Sequence, residues 1–99
     1  PAQVGRFVTN IAVKQNNPNI CSMVVLGWDG TTSPHRCYYL IAINNLNLDS
    51  CSYDKYADMC YASVGENLKN KSKALLFCSR ISDSTDKRVC EARAEFIRE

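Results

Sequence analysis

The first patterned stretch of the chain, residues 6–14 (RFVTNIAVK), alternates. Phe7, Thr9, Ile11 and Val13 fall on one side, and Val8, Asn10, Ala12 and Lys14 on the other. A period of two predicts a strand with one better-buried face. The turn formers of QNNPN end it. A second apolar run, ICSMVVLGW at 20–28, leads into Asp29-Gly30, a hairpin signal. Pro34 delays the return strand, so residues 29–35 are expected to form a long hairpin loop. Residues 36–43 (RCYYLIAI) carry apolar groups on both faces, which predicts a central strand. NNLNLDS then reads as loop.

Helical spacing appears after Cys51. Tyr53, Tyr56, Cys60 and Val64 share a face with Ala57 beside them, while Asp54, Lys55 and Asp58 lie toward solvent. With Ser52 as N-cap, this predicts an amphipathic helix over 53–64 that Gly65 either caps or continues. Residues 66–73 (ENLKNKSK) are polar and expected to be exposed. ALLFCSRI at 74–81 reads as a fourth strand. SDSTD offers several helix caps, and Lys87 to Arg98 mixes charge with Val89, Cys90, Ala94, Phe96 and Ile97 as a second amphipathic helix does. Arg93 falls within its apolar arc and has to snorkel. The order β-β-β-α-β-α, with no internal repeat and no linker, predicts an α+β fold. In it an antiparallel β-sheet of about four strands carries two helices on one face, an alpha-beta sandwich, and residues 1–99 form a single domain.

Cysteine content changes the picture most. Cys21, Cys37, Cys51, Cys60, Cys78 and Cys90 are even in number and widely spaced, with no CxxC. A zinc site usually needs one close ligand pair, and a thioredoxin-like centre needs CxxC. With one histidine there is no Cys2His2 set either, so no metal or cofactor is expected. Three disulfides are the expected state, and with them an oxidising, extracellular location. The chain begins at Pro1 with no visible signal peptide, as a mature product or a trimmed chain would, so secretion rests on thiol chemistry alone. No apolar run reaches membrane-spanning length. If Cys51 and Cys60 shared one helix, nine residues would separate them by about 13.5 Å and turn them to opposite sides. A disulfide needs Cα atoms roughly 4.4–6.8 Å apart, so each would tether this region to a different element. Which cysteines pair stays open.

The formal net charge of +2 is too small for a nucleic-acid-binding face. His35 stands beside Arg36 in TTSPHRC, where a general base or an anion-binding pair is conceivable. Without a second histidine, a two-histidine ribonuclease mechanism is excluded. Asp54 and Asp58, at i and i+4, read as solvating carboxylates. No GxSxG, EF-hand or phosphate-loop pattern occurs, and no catalytic set is assigned. The candidate contact residues are Trp28, Asp29, His35, Arg36, Tyr61, Lys69 and Lys71. Trp28 qualifies because it adjoins the Asp29-Gly30 turn, and Tyr61 because it sits at the margin of the helical stripe. Asn70-Lys71-Ser72 is a possible glycosylation sequon.

In size, thiol count and mixed charge the chain resembles small secreted cysteine-rich proteins, the class that includes effectors and toxins of fungi and parasites. Killer-toxin-like members of that class are helix-on-sheet sandwiches. The resemblance carries no residue role. It implies a secreted, disulfide-stabilised effector, toxin or ligand that recognises a protein or cell-surface target, in virulence for example, through loops 29–35 and 66–73. The alternatives are a small secreted nuclease or wall-active hydrolase using His35, and an inhibitor of a secreted enzyme acting through loop 29–35.

Overall fold

Ser33-Pro34 starts a helix rather than delaying a strand. The Ser33 side chain accepts a hydrogen bond from the Arg36 amide at 3.1 Å, and Pro34 takes the first helical position, where its missing N–H costs nothing. The computed structural model describes residues 2–24 and 33–98. Among them there is no strand. The elements are α1 (Ala2–Gln15), a 3-10 helix η1 (Pro18–Met23), α2 (Pro34–Asn45), a second 3-10 helix η2 (Ser50–Tyr53), α3 (Ala57–Asn67), α4 (Lys71–Cys78) and α5 (Ser84–Ala94).

The expected α+β fold with its four-stranded sheet is therefore wrong: the fold is all-helical. The reason lies in how short apolar runs read. RCYYLIAI looked like a two-faced strand, yet its buried residues Cys37, Tyr38, Ile41 and Ala42 recur at i, i+1, i+4 and i+5, the stripe of a helix. In ALLFCSRI, Ala74, Phe77, Cys78 and Ile81 repeat at i, i+3, i+4 and i+7. Its start signal is Asn70, whose side chain accepts from the Lys73 amide at 3.0 Å. In RFVTNIAVK the fully packed positions are Thr9 and Ala12, three apart, while Phe7 stays 66% exposed. The β-branched residues of these runs favour strands only weakly, and packing overrides that preference.

Both helices read correctly as helices start and stop elsewhere than expected. The first begins at Ala57, not Tyr53, and runs through Gly65 to Asn67. Ser52 does not cap it, because its hydroxyl donates to the Asp49 carbonyl at 2.5 Å. The second begins after Asp83, whose side chain accepts from the Asp86 amide at 2.9 Å, within the expected capping run.

The chain groups into two compact units, Pro1–Lys55 and Tyr56–Glu99. The first contains an internal repeat, contrary to the expectation of none. IAVKQNNPNICS at 11–22 recurs thirty positions later as IAINNLNLDSCS at 41–52. Ile, Ala, Asn, Cys and Ser are identical at equivalent places: Ile11/Ile41, Ala12/Ala42, Asn17/Asn47, Cys21/Cys51 and Ser22/Ser52. The local structure repeats with them. Asn16 and Leu46 end their helices in the left-handed region, at φ 50° and 52°. The Asn17 and Asn47 amides reach back five residues to the Ala12 and Ala42 carbonyls, at 2.9 and 3.1 Å. The Asn17 and Asn47 side chains each accept from the amide two residues on, both at 3.1 Å, and a 3-10 turn follows. The two turns are stitched together, because Asn45 Nδ2 donates to the Val13 carbonyl and Asn47 Nδ2 to Asn16 Oδ1, each at 2.9 Å. What read as two polar breaks is one capping device used twice.

The cysteines are buried and all six are in disulfides. Cys21 on η1 bonds Cys37 on α2 with a Cα separation of 5.5 Å. Cys78 on α4 bonds Cys90 on α5 at 5.6 Å. Cys51 and Cys60 are disulfide-bonded as well. The helix geometry that set them apart does not apply, since η2 ends at Tyr53 and α3 begins at Ala57. In the second unit α3, α4 and α5 enclose a core of Tyr61, Val64, Ala74, Phe77, Ile81 and Ala94 around the Cys78–Cys90 bridge.

Candidate functional site

Two places gather chemistry, one in each unit. In the first, the N-cap at Ser33 puts His35 in the opening turn of α2. Asp54 follows η2, and its amide closes that 3-10 turn onto the Cys51 carbonyl at 3.0 Å. His35 Nδ1 lies 2.5 Å from Asp54 Oδ1. The carboxylate is 3% exposed and the imidazole 48%. A buried carboxylate holding Nδ1 orients the ring, the kind of positioning a general base uses. Tyr38 lies nearby: burial raises its phenol pKa first, and the charge of Asp54 adds to it. Tyr53 stacks on Tyr38 with ring centroids 6.4 Å apart. The Ser50 hydroxyl, fully buried, donates to the Tyr38 carbonyl at 2.8 Å.

In the second unit, α3 and α5 run in the same direction with a groove of about 230 Å³ between them. Its start is fixed by Asp58, whose carboxylate accepts from the Ser82 amide at 2.9 Å, the Ser82 hydroxyl at 2.8 Å and the Asp83 amide at 3.1 Å. Those bonds, the Ser82 amide first, lower the Asp58 pKa. Its far end is fixed by an ion pair between Glu66 on α3 and Arg93 on α5. Asp58 and Glu66 are eight residues apart, so the groove is about 12 Å long. Met59 and Ala62 from α3 and Val89 and Cys90 from α5 form its apolar lining, and Asp86 stands on its rim. Met59 and Val89 are 68% and 45% exposed, large apolar side chains left facing solvent over a disulfide-backed floor.

The residues expected to make contacts are scattered by the fold. Trp28 and Asp29 lie outside the described residues, as does most of loop 29–35. His35 and Arg36 are exposed at the start of α2, and His35 has the Asp54 partner described above. Tyr61 is 4% exposed and packs against Phe77 with ring centroids 6.5 Å apart, so it belongs to the core. Residues 66–73 are not one loop: they span the end of α3, a short turn and the start of α4. Lys69 is exposed in that turn, and Lys71 in α4 lies 3.8 Å from Glu95. Asn70 is exposed and spends its side-chain oxygen on capping α4, so the sequon sits at a helix N-terminus.

Met59, Asp86 and Val89 were not singled out from sequence as site residues, and Asp54 and Tyr38 were set aside as solvating and core residues. Asp54 looked like a solvent-facing helical residue paired with Asp58; the two in fact stand on different elements, each with its own partners. Met59 and Val89 were findable as large apolar residues off the buried stripe of their helices. Among the described residues, no group of His, Cys, Asp and Glu is arranged to hold a metal ion. Also among them, no helix is long and apolar enough to cross a membrane. No family model matches the chain, and no curated protein or solved structure shows significant similarity to it.

Proposed function

We propose that this is a secreted, disulfide-stapled binding protein, an effector, toxin or ligand that acts by recognising a protein or cell-surface target. The observation that carries the reading is the α3/α5 groove. Two large apolar side chains, Met59 on α3 and Val89 on α5, remain in water, while the Cys78–Cys90 bridge ties α5 to α4 and α3 packs against that bridge at Gly65. A rigid scaffold loses little conformational freedom on binding, so exposed anchors on it are used efficiently. Six paired cysteines support the extracellular setting, because such bonds persist outside the reducing cytosol. The proposed contact surface is this helical face rather than loops 29–35 and 66–73.

The test is saturable binding of labelled protein to extracellular proteins and cell surfaces of candidate hosts, compared with a Met59→Lys/Val89→Asp variant of unchanged circular dichroism. Binding that falls in the variant supports the reading. Binding that is the same for both proteins rejects the groove as the contact surface, and absence of saturable binding rejects the function.

One observation favours a second reading, a secreted hydrolase that uses His35 as general base. It is the His35–Asp54 contact, with its buried carboxylate and half-exposed ring. Hydrolysis of RNA, polysaccharide or ester substrates that disappears in His35→Ala, with the fold intact, would put this reading first.

A further inference from the structure

The groove has a size, a length and a charge, and together they describe an occupant. At about 230 Å³ it falls below the roughly 300–1,000 Å³ of sites that enclose drug-sized ligands or cofactors. It holds one or two side chains. Its length of about 12 Å matches roughly four residues of extended chain. Both ends are closed by polar links between the helices, Asp58 to Ser82 and Asp83 at one and Glu66 to Arg93 at the other. An occupant therefore lies across the Met59–Val89 middle.

The charge is one-sided. Asp58, Glu66 and Asp86 line the groove against Arg93 alone, and Arg93 is already engaged by Glu66. Asp58 keeps its charge while capping, because amide and hydroxyl donors stabilise the carboxylate. Methionine at an exposed groove suits adaptable packing against an apolar side chain.

We propose that the α3/α5 groove binds a short peptide segment of a partner protein, one apolar side chain seated between Met59 and Val89 and flanked by lysine or arginine facing Asp86 and Asp58. This rests on the binding reading above and specifies its partner chemistry. Apolar contact holds the segment, and the carboxylates select against acidic sequences.

Fluorescence anisotropy of the intact, oxidised protein tests it with three labelled hexapeptides: alternating Lys-Leu, alternating Glu-Leu and alternating Lys-Ser. The Lys-Leu peptide should bind at least about tenfold tighter than either twin, a difference of about 1.4 kcal/mol. Val89→Asp and Asp86→Lys should each weaken it about tenfold, and raising salt from 0.05 to ~0.5 M should weaken wild-type binding further. Both positions are exposed, so the variants should fold; circular dichroism confirms it. Equal binding of the Glu-Leu peptide, equal binding of the Lys-Ser peptide, or indifference to both substitutions would overturn the assignment. So would self-association in sedimentation that Val89→Asp abolishes, because the occupant would then be a second copy. If these peptides fail while a host target still binds in a Met59- and Val89-dependent way, the partner chemistry is wrong and the binding function stands.

Discussion

Gly65 sits inside α3, where alanine would ordinarily be an improvement. Replacing a helix-interior glycine by alanine gains about 0.5–1 kcal/mol. Here a Cβ would lie 2.8 Å from Cys90 Sγ and 2.9 Å from Cys78 Sγ, with the Ala74 carbonyl oxygen at 3.5 Å. Ordinary contact is about 3.5–4.0 Å, so the added carbon overlaps both sulfurs by roughly 0.7–1 Å. The sulfurs cannot swing away. They are bonded to each other, Cys78 is 0% and Cys90 2% exposed, and the bridge ties α4 to α5. Overpacking of this kind costs about 1–3 kcal/mol, and up to the top of that range where the neighbour is a crosslink. Set against the helical gain, Gly65→Ala should destabilise by about 1–2 kcal/mol. For a chain of this size that lowers Tm by roughly 5–15 °C. The assay is thermal unfolding by circular dichroism on the oxidised protein, with a thiol count to confirm that the bridges formed. The control is the same substitution in a Cys78→Ala/Cys90→Ala background, where the sulfurs are gone and alanine should be neutral or stabilising. A Tm equal to or above wild type in the disulfide-intact protein, or the same loss in both backgrounds, would refute the reasoning.

Four further outcomes are expected. Tandem mass spectrometry of unreduced digests should find peptides linked through Cys21–Cys37 and Cys78–Cys90, and intact mass should show no free thiol. Asn70→Ala removes the cap of α4 and should cost about 1 kcal/mol in denaturant melts, while Asn70→Asp should retain most of it. Because the Asp58 pKa is lowered on folding, its contribution is present above the usual carboxylate range and is lost as pH falls through the folded value; Asp58→Asn should flatten the acid limb of the stability profile. Tyr38 is shifted the other way by burial and by Asp54, so its contribution is present below the ordinary tyrosine pKa of about 10 and is lost as pH rises beyond it; Tyr38→Phe should flatten the alkaline limb.

What could be read from the sequence was what depends on composition and on long periodic stretches. The even cysteine count without CxxC pointed to disulfides, and every cysteine is in one. The apolar spacing after Tyr53 and the capping run SDSTD located two of the five α-helices among the described residues. The breaks at QNNPN and NNLNLDS fall where helices end, but they are narrower than expected: Gln15, Asn44 and Asn45 are still in α-helix, and Pro18, Asn19 and Ser50 are in 3-10 turns. The other helices were misread because eight or nine residues fit a period of two and a period of 3.6 about equally well. Local signals that break the tie, Ser33-Pro34 and Asn70 three residues before Lys73, were present but read as loop chemistry. The twelve-residue repeat at an offset of thirty is hidden in the sequence because only five of its positions are identical, while its capping hydrogen bonds recur.

By itself the sequence determined that this chain is crosslinked, weakly basic and capped at particular places, since those properties belong to single residues or to their number. Tertiary structure alone decided which side of each helix faces water. Tyr61 is drawn into the core by Phe77, whereas Met59, two residues earlier, is turned out beside Val89. Burial is set by what packs against a residue from distant parts of the chain. For the same reason Asp54 acquires His35 and Asp58 acquires the N-terminus of α5, roles that two acidic residues four positions apart do not reveal.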